Sequence, residues 1–495
     1  MNLVQELERR RFRWTCISGT LLLGWLMRLV LIARGGLFYN PDEYRYSRSI
    51  GFLHSLMQGD FAHALHFCYT YPQHNGSVLI GAIPAAIQGI LDKLGWPPEQ
   101  TMHIAAAIFA LVPIANALLV YGIIRRLGRG HAAAFLGLFI MSVSCTMVYC
   151  SRHLLPYYSG LCVALLTTWW MLGNKPGTWR LVLAGAAAFA VFLVYNGFWS
   201  LSLALLGVLV LLRPPSHPSM PLRGAWLGLG YVLCFAGVYL VGQLAATPVS
   251  AGGRGANFIR GLGYFSDTIS QGDFADGWWL GWAHLFSAEG VLLPVLLVCA
   301  AFSFREGASA RMPLFFVLGL YVLLVLGSVV LRNFVVYGRN MIPLYTALVI
   351  AGSVGASTLW RKQHGVFLAV LLVVILQSAF RYSRVVRQDF PAERLAEMKV
   401  KYPDLSLAFS VKGPRHHADG AYPDGGRYVF VNYRVLSPIQ GPAPLPKGRV
   451  LHRWRHPVQD PLYRYNGYTR HERSILRQAD VEMRLVDTRA EPGPR

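Results

Sequence analysis

Long apolar runs separated by short, basic connections make up the first 380 residues. They fall near 14–33, 101–124, 131–150, 156–172, 181–196, 198–212, 224–246, 291–304, 312–331, 341–359 and 364–380. Several approach or exceed the ~18–20 residues that cross a bilayer core. A single segment satisfies its own backbone in lipid only as a helix, so the pattern predicts about eleven transmembrane helices. Residues 77–91 are also apolar, but the run is short and interrupted by Pro84 and Gln88. Beyond residue 380 the chain changes character. Turn-rich clusters such as Gly413-Pro414-Arg415-His416-His417 and Gly441-Pro442-Ala443-Pro444-Leu445-Pro446 separate short runs of β character, 427–433 and 448–454. The predicted architecture is an all-α polytopic membrane domain over residues 1–380, followed by a small extracytoplasmic α/β domain over 381–495.

Composition agrees with the pattern. The chain is 54% hydrophobic and 14% charged, where soluble domains run nearer a quarter charged. The first run follows Arg9, Arg10, Arg11 and Arg13; it is too long for a signal peptide and has no small-residue cleavage site after it, so it is expected to be retained as a span. Charge decides whether 77–91 crosses. If it does not, the loops on the N-terminal side hold Arg125, Arg126, Arg129, Lys175, Arg180, Arg213, Arg223, Arg305, Arg311, Arg361 and Lys362. The opposite loops between the later spans then hold Arg152, Arg254, Arg260, Arg332 and Arg339. Letting 77–91 cross would reverse this asymmetry, so the positive-inside rule predicts a re-entrant or interfacial segment there. The N-terminus is then cytoplasmic and the C-terminus periplasmic, and the compact loops point to a bacterial inner membrane. The net charge of +22 is spread over loops and tail as anionic lipid favours, so no nucleic-acid partner is expected. The seven cysteines have neither zinc-site nor disulfide-framework spacing.

This topology places the loop 34–100, the loop 247–290 and the tail on the outer side. Asp42 and Glu43 lie there, in Tyr39-Asn-Pro-Asp-Glu-Tyr-Arg-Tyr46. Adjacent carboxylates repel, which raises one pKa and suits it to proton transfer; one of them serves equally well to hold a metal or a sugar hydroxyl. Arg45 sits beside them. Arg152 and His153 follow the third span, and Arg332, Tyr337 and Arg339 lie in the short outer loop before the tenth. Arginines at span ends snorkel to head groups or, on the face that carries the acids, receive a departing phosphate. In the 247–290 loop, Trp278, Trp279 and Trp282 are consistent with an interfacial aromatic belt or with sugar stacking on a lid. His63 and His66 have helical spacing for sharing a divalent metal, with no third ligand at clear spacing. No cofactor is otherwise implied. Phosphate-loop, dinucleotide and nucleophile-elbow motifs are absent.

Three stretches carry a resemblance: Asn40-Pro-Asp-Glu-Tyr44 after the first span, Ser151-Arg-His-Leu-Leu-Pro-Tyr157 after the third, and Tyr337-Gly-Arg-Asn-Met-Ile-Pro-Leu-Tyr345 opening the tenth. With the non-crossing apolar segment, this layout resembles the C-type glycosyltransferase superfamily (GT-C), in particular the protein O-mannosyltransferases and the lipid A aminoarabinose transferases. The resemblance spans residues 1 to about 380. It implies inverting transfer of a sugar from a polyprenyl-phosphate carrier, with Asp42 as base and Glu43 assisting. Members often carry an aspartate four or five residues after the Ser-Arg of the third span. This chain has Pro156 and Tyr157 there, so that substrate contact is expected to be absent or to be made by His153. The tail resembles no family.

The expected function is therefore an integral-membrane glycosyltransferase. Its partners would be a polyprenyl-phosphate sugar, membrane lipids and an envelope lipid, polysaccharide or protein acceptor. A lipid-linked glycan transporter would place ionisable residues or broken helices at mid-membrane, whereas these spans read as almost free of charge. An envelope scaffold, with Asp42 and Glu43 only capping a helix, is the third alternative.

Overall fold

The computed structural model describes residues 3–34, 46–69, 75–96, 98–152, 154, 156–173, 177–211, 219–244, 275–305, 307–332, 336–360, 365–389, 391–409, 427–432, 447–455 and 482–490. After one turn at Leu3–Glu6 the chain is helical: α1 (Arg10–Ala33), α2 (Tyr46–Met57), α3 (Phe61–Tyr69), α4 (Asn75–Lys93), α5 (Pro98–Phe109) and α6 (Leu111–Arg126). It continues with α7 (His131–Val143), α8 (Cys145–Tyr149), α9 (Tyr157–Gly173), α10 (Thr178–Val194), α11 (Trp199–Leu211) and α12 (Met220–Leu244). The last group is α13 (Gly277–Glu289), α14 (Leu292–Phe302), α15 (Ala308–Val325), α16 (Ile342–Trp360), α17 (Gly365–Val386) and α18 (Pro391–Lys401).

Among the described residues, six helical segments are long and apolar enough to cross a membrane: Arg10–Ala33, His103–Arg126, Met220–Gly242, Arg311–Val330, Gly338–Trp360 and Gly365–Val386. The pair α13 and α14, bent by 114°, adds a seventh if counted as one broken span. The chain is thus a polytopic membrane protein. The remaining expected spans are also helical but shorter. The run 131–150 breaks at Ser144, whose ψ of 149° is extended, and the runs 181–196 and 198–212 meet at the tight turn Asn196–Phe198. A helix of 17 residues rises only about 26 Å, short of the ~30 Å hydrocarbon core, so length and composition alone do not reach eleven among the described residues. The segment 77–91 lies within α4, with Pro84 inside the helix. The second half of the 247–290 loop is helical, as α13; residues 245–274 lie outside the described residues.

At the centre stands α16. Nearly all its side chains are buried, as expected of a helix that is apolar all round. It is ringed by α6, α7, α14, α15 and α17. Where lipid is as apolar as the side chains, close backbone approach drives helix association, and glycines permit it. A Cβ on Gly355 would strike the Cys299 carbonyl, and one on Gly352 would lie 2.9 Å from Leu296, which docks α14 on α16. The contact between α10 and α12 is reciprocal: Gly185 faces the Leu227 carbonyl and Gly230 the Val182 carbonyl.

Among the described residues the tail forms a four-stranded sheet of order β1-β2-β4-β3, with β1 Leu405–Phe409, β2 Tyr428–Asn432, β3 Arg449–Arg455 and β4 Glu482–Asp487. The β1–β2 pair is parallel and the other pairs antiparallel. Side chains alternate across the pleat. Phe430, Met483 and Leu485 pack with Met398 of α18, while Val429, Val431 and Val486 join the core of the helical domain. Arg34, just past α1, pairs with Glu393 of α18 at 2.8 Å, which ties the tail to that end of α1. Arg484 is buried in β4, an inner strand of the sheet.

Candidate functional site

The N-terminal end of α16 organises the candidate site. A 3₁₀ turn, Gly338–Met341, leads into the helix, and the buried Asn340 fixes its position. The Asn340 Oδ1 accepts a hydrogen bond from the Tyr337 N–H (3.1 Å), and its Nδ2 donates to the Gly197 carbonyl (3.2 Å). One amide thus secures this turn and the α10–α11 link together. Arg339, half-buried, donates from Nε to the Tyr195 hydroxyl at 3.2 Å. Its guanidinium carbon stands 4.3 Å from the centre of the Tyr337 ring, a cation–π contact that restrains the side chain.

Tyr195 leaves α10 in extended conformation (φ −149°). Its ring packs edge-on against Tyr157 (4.7 Å between centroids) and Phe198 (5.0 Å). Tyr157 opens α9 and is fully buried. The segment that follows Ser151 and the segment that contains Arg339 therefore meet through Tyr195. Sequence reasoning passed over Tyr195; the signal available was the polar Asn196-Gly197 pair between two apolar runs.

A second convergence lies beside it. Ile32 at the end of α1, Tyr46 at the start of α2, and Leu154 share one apolar cluster with Ala85, Ala105, Ala106, Phe109 and Ala110. Burial, reinforced by the Asp92 carboxylate, pushes the Tyr46 phenol well above its ordinary value. Gly76 at the start of α4 seats against the Leu193–Val194 backbone, and the Tyr69 hydroxyl donates to the Val238 carbonyl at 2.6 Å. Helices α2 to α4 are thus anchored on the ends of α10 and α12, next to Tyr195.

Asp42, Glu43, Arg45 and His153 lie outside the described residues. The backbone of Arg152 closes the turn Cys150–Arg152, and its side chain lies outside them. Tyr337 and Arg339 come together with Tyr195 and Tyr157. Arg332 has a positive φ of 50°, is exposed, and shares no contact with that group among the described residues. His63 and His66 stack ring on ring at 5.8 Å. Among the described residues no three His, Cys, Asp or Glu side chains converge to hold a metal ion. None of the seven cysteines forms a disulfide.

The helices are less free of charge than expected. Arg28 of α1 is fully buried and Glu289, the last residue of α13, is 1% exposed. Both meet the break in the helix at Ser144. Glu289 falls within what the sequence suggested was a loop, and Arg28 within the first span.

No family model matches the chain, and no curated protein matches it. Solved structures of the Archaeoglobus fulgidus oligosaccharyltransferase align over 78% of the chain. One, in complex with Zn and sulfate, gives a TM-score of 0.43 at 13% identity over 55% of its own length. Another, tethered to an acceptor peptide containing the NVT sequon via a disulfide bond, gives 0.42 at 14% over 57%. The chain therefore spans little more than half the length of these proteins. At so remote a likeness, the function of this chain has to rest on its own residues.

Proposed function

We propose that the protein is an integral-membrane glycosyltransferase of the GT-C type, which moves a sugar from a polyprenyl-phosphate carrier to an acceptor on the extracytoplasmic side of a bacterial inner membrane. The acceptor hydroxyl or amine attacks the anomeric carbon while its proton passes to the Asp42 carboxylate, with Glu43 assisting. The bond between the anomeric carbon and the phosphate oxygen breaks, and configuration inverts. Negative charge grows on the departing lipid phosphate, where the Arg339 guanidinium supplies charge-assisted hydrogen bonds. Arg45, Arg152, His153, Arg332 and Tyr337 are assigned to substrate binding. The eleven-span topology, with N-terminus cytoplasmic and C-terminus periplasmic, belongs to this proposal.

One observation supports it above the others. Tyr46 and Leu154 belong to one apolar cluster, and Arg339 reaches Tyr195 beside Tyr157, so the neighbours of all three motifs gather in one region of the bundle. Asp42 is four residues from Tyr46, a chain reach of at most about 14 Å. The lipid-linked glycan transporter gains some support from the buried Arg28 and Glu289, since broken helices with ionisable groups mark such proteins. Both side chains, however, are occupied with backbone groups at the helix break, which favours a structural use.

The test is transfer from a defined polyprenyl-phosphate sugar to candidate acceptors, with mass detection of the product. Asp42→Asn is expected to abolish transfer while leaving the protein folded and abundant. An unaffected rate would favour the transporter or the scaffold.

A further inference from the structure

A broken helix leaves unsatisfied backbone groups on both sides of the break. At Ser144 they find partners of opposite charge on two other helices. Arg28 of α1 donates from Nη1 to the Ser142 carbonyl (2.8 Å) and from Nη2 to the Met147 carbonyl (3.0 Å). Gly24, one turn earlier, makes this reach possible, since a Cβ there would stand 2.9 Å from the Ser142 oxygen. Glu289 Oε1 accepts the Thr146 N–H at 2.6 Å, capping the first turn of α8 from a helix 143 residues away in sequence. A cation on carbonyls and a carboxylate on an N–H match the partial charges of the two helix ends.

The clasped segment leads directly to the candidate site. From Cys145–Tyr149 the chain runs through the turn Cys150–Arg152 to Leu154 and Tyr157. The Tyr158 hydroxyl donates back to the Thr146 carbonyl (3.1 Å), and Asn116 Nδ2 donates to the Tyr158 carbonyl (2.9 Å). Directly after Glu289, Gly290 takes a positive φ of 52°, where a Cβ would meet the Gln377 amide and the Arg381 guanidinium. The bend between α13 and α14 thus places the carboxylate at the break.

We infer that Glu289 and Arg28 are positioning residues. They hold the break at Ser144 so that the Ser151–Tyr157 segment meets Tyr195 and Arg339 in the register that transfer requires. This rests on the transferase proposal for its kinetic consequence but not for its structural one. In Glu289→Ala the Thr146 N–H loses its acceptor, whereas Glu289→Gln keeps an oxygen in place. Hydrogen exchange of the detergent-solubilised full chain should show faster exchange of the 145–152 amides in Glu289→Ala and protection close to that of the unmodified protein in Glu289→Gln. In the transfer assay, kcat should fall about 10- to 100-fold in Glu289→Ala, as for displaced reacting groups, with the donor KM unchanged and Glu289→Gln restoring most of the rate. If Glu289→Ala does not accumulate, Glu289→Asp takes its place. Its carboxylate is one methylene short of Thr146, and it should show the same faster exchange and the same loss in kcat. Unchanged exchange over 145–152 in a folded Ala or Asp variant overturns the inference. So does unchanged kcat, or failure of Glu289→Gln to restore what Glu289→Ala loses. An unmodified protein that transfers no sugar defeats the transferase proposal instead, and the exchange experiment then decides the clasp alone.

Discussion

Tyr195→Phe is the narrowest perturbation of the candidate site. It removes one hydroxyl and keeps the ring, so the edge contacts with Tyr157 and Phe198 survive. What is lost is the acceptor for Arg339 Nε at 3.2 Å. A hydrogen bond to a charged group is worth about 1.5–3 kcal/mol when fully buried. Arg339 is only half-buried, and solvent screening reduces this to about 1 kcal/mol. If Arg339 faces the departing phosphate, that loss appears in the transition state, and kcat/KM should fall about fivefold. Replacing the guanidinium itself, as in Arg339→Met, should cost about 100- to 1,000-fold, the usual scale for one preorganised group at a site of developing charge. The two changes act through one contact, so they should not multiply. In the Arg339→Met background, Tyr195→Phe should add almost nothing, leaving a coupling of about 1 kcal/mol. Initial rates of transfer from a defined polyprenyl-phosphate sugar, read by mass and normalised to folded protein, measure all four corners of the cycle. Fully multiplicative effects would refute the claim that Tyr195 acts by orienting Arg339, and an unaltered rate in Arg339→Met would remove the phosphate role altogether.

Other outcomes follow from packing and charge. Gly355→Leu forces a side chain into the Cys299 backbone; overpacking costs about 1–3 kcal/mol or more, so the thermal midpoint in detergent should fall sharply, while Gly319→Leu, with open space at its Cβ position, should leave it nearly unchanged. Glu393→Gln breaks the pair with Arg34, whose partners are both partly exposed, and should shift stability by less than about 1 kcal/mol. The Arg427 guanidinium holds Asp487 below its ordinary carboxylate range. A depressed folded pKa contributes stability above the unfolded value of about 3.9 and loses it as pH falls through the folded value. The contribution of this pair should therefore be lost only below about pH 4, and Arg427→Gln should make the tail more sensitive to acid when followed by circular dichroism.

Much of this protein is determined by residue order alone. Helix in lipid is the forced answer to a long apolar run, so α1, α6, α12, α15, α16 and α17 were readable from hydropathy, and β2 and β3 from short alternating runs between turn residues. The motif around Arg339 was also visible, because a basic residue between two spans stands out. Other features depend on partners remote in sequence. Nothing near Ser144 announces that Arg28 and Glu289 would meet there from 114 and 143 residues away. Nothing near Tyr195 announces Arg339. Which apolar run would stand at the centre was equally hidden, since the α17 span has the higher mean hydropathy yet is 22% buried, against 89% for the span that holds α16. Hydropathy records how each segment prefers lipid to water. It does not record which helix faces which, because in a bilayer that choice rests on close fit, on glycines such as Gly352 and Gly355, and on buried polar groups that find their partners only once the bundle has closed.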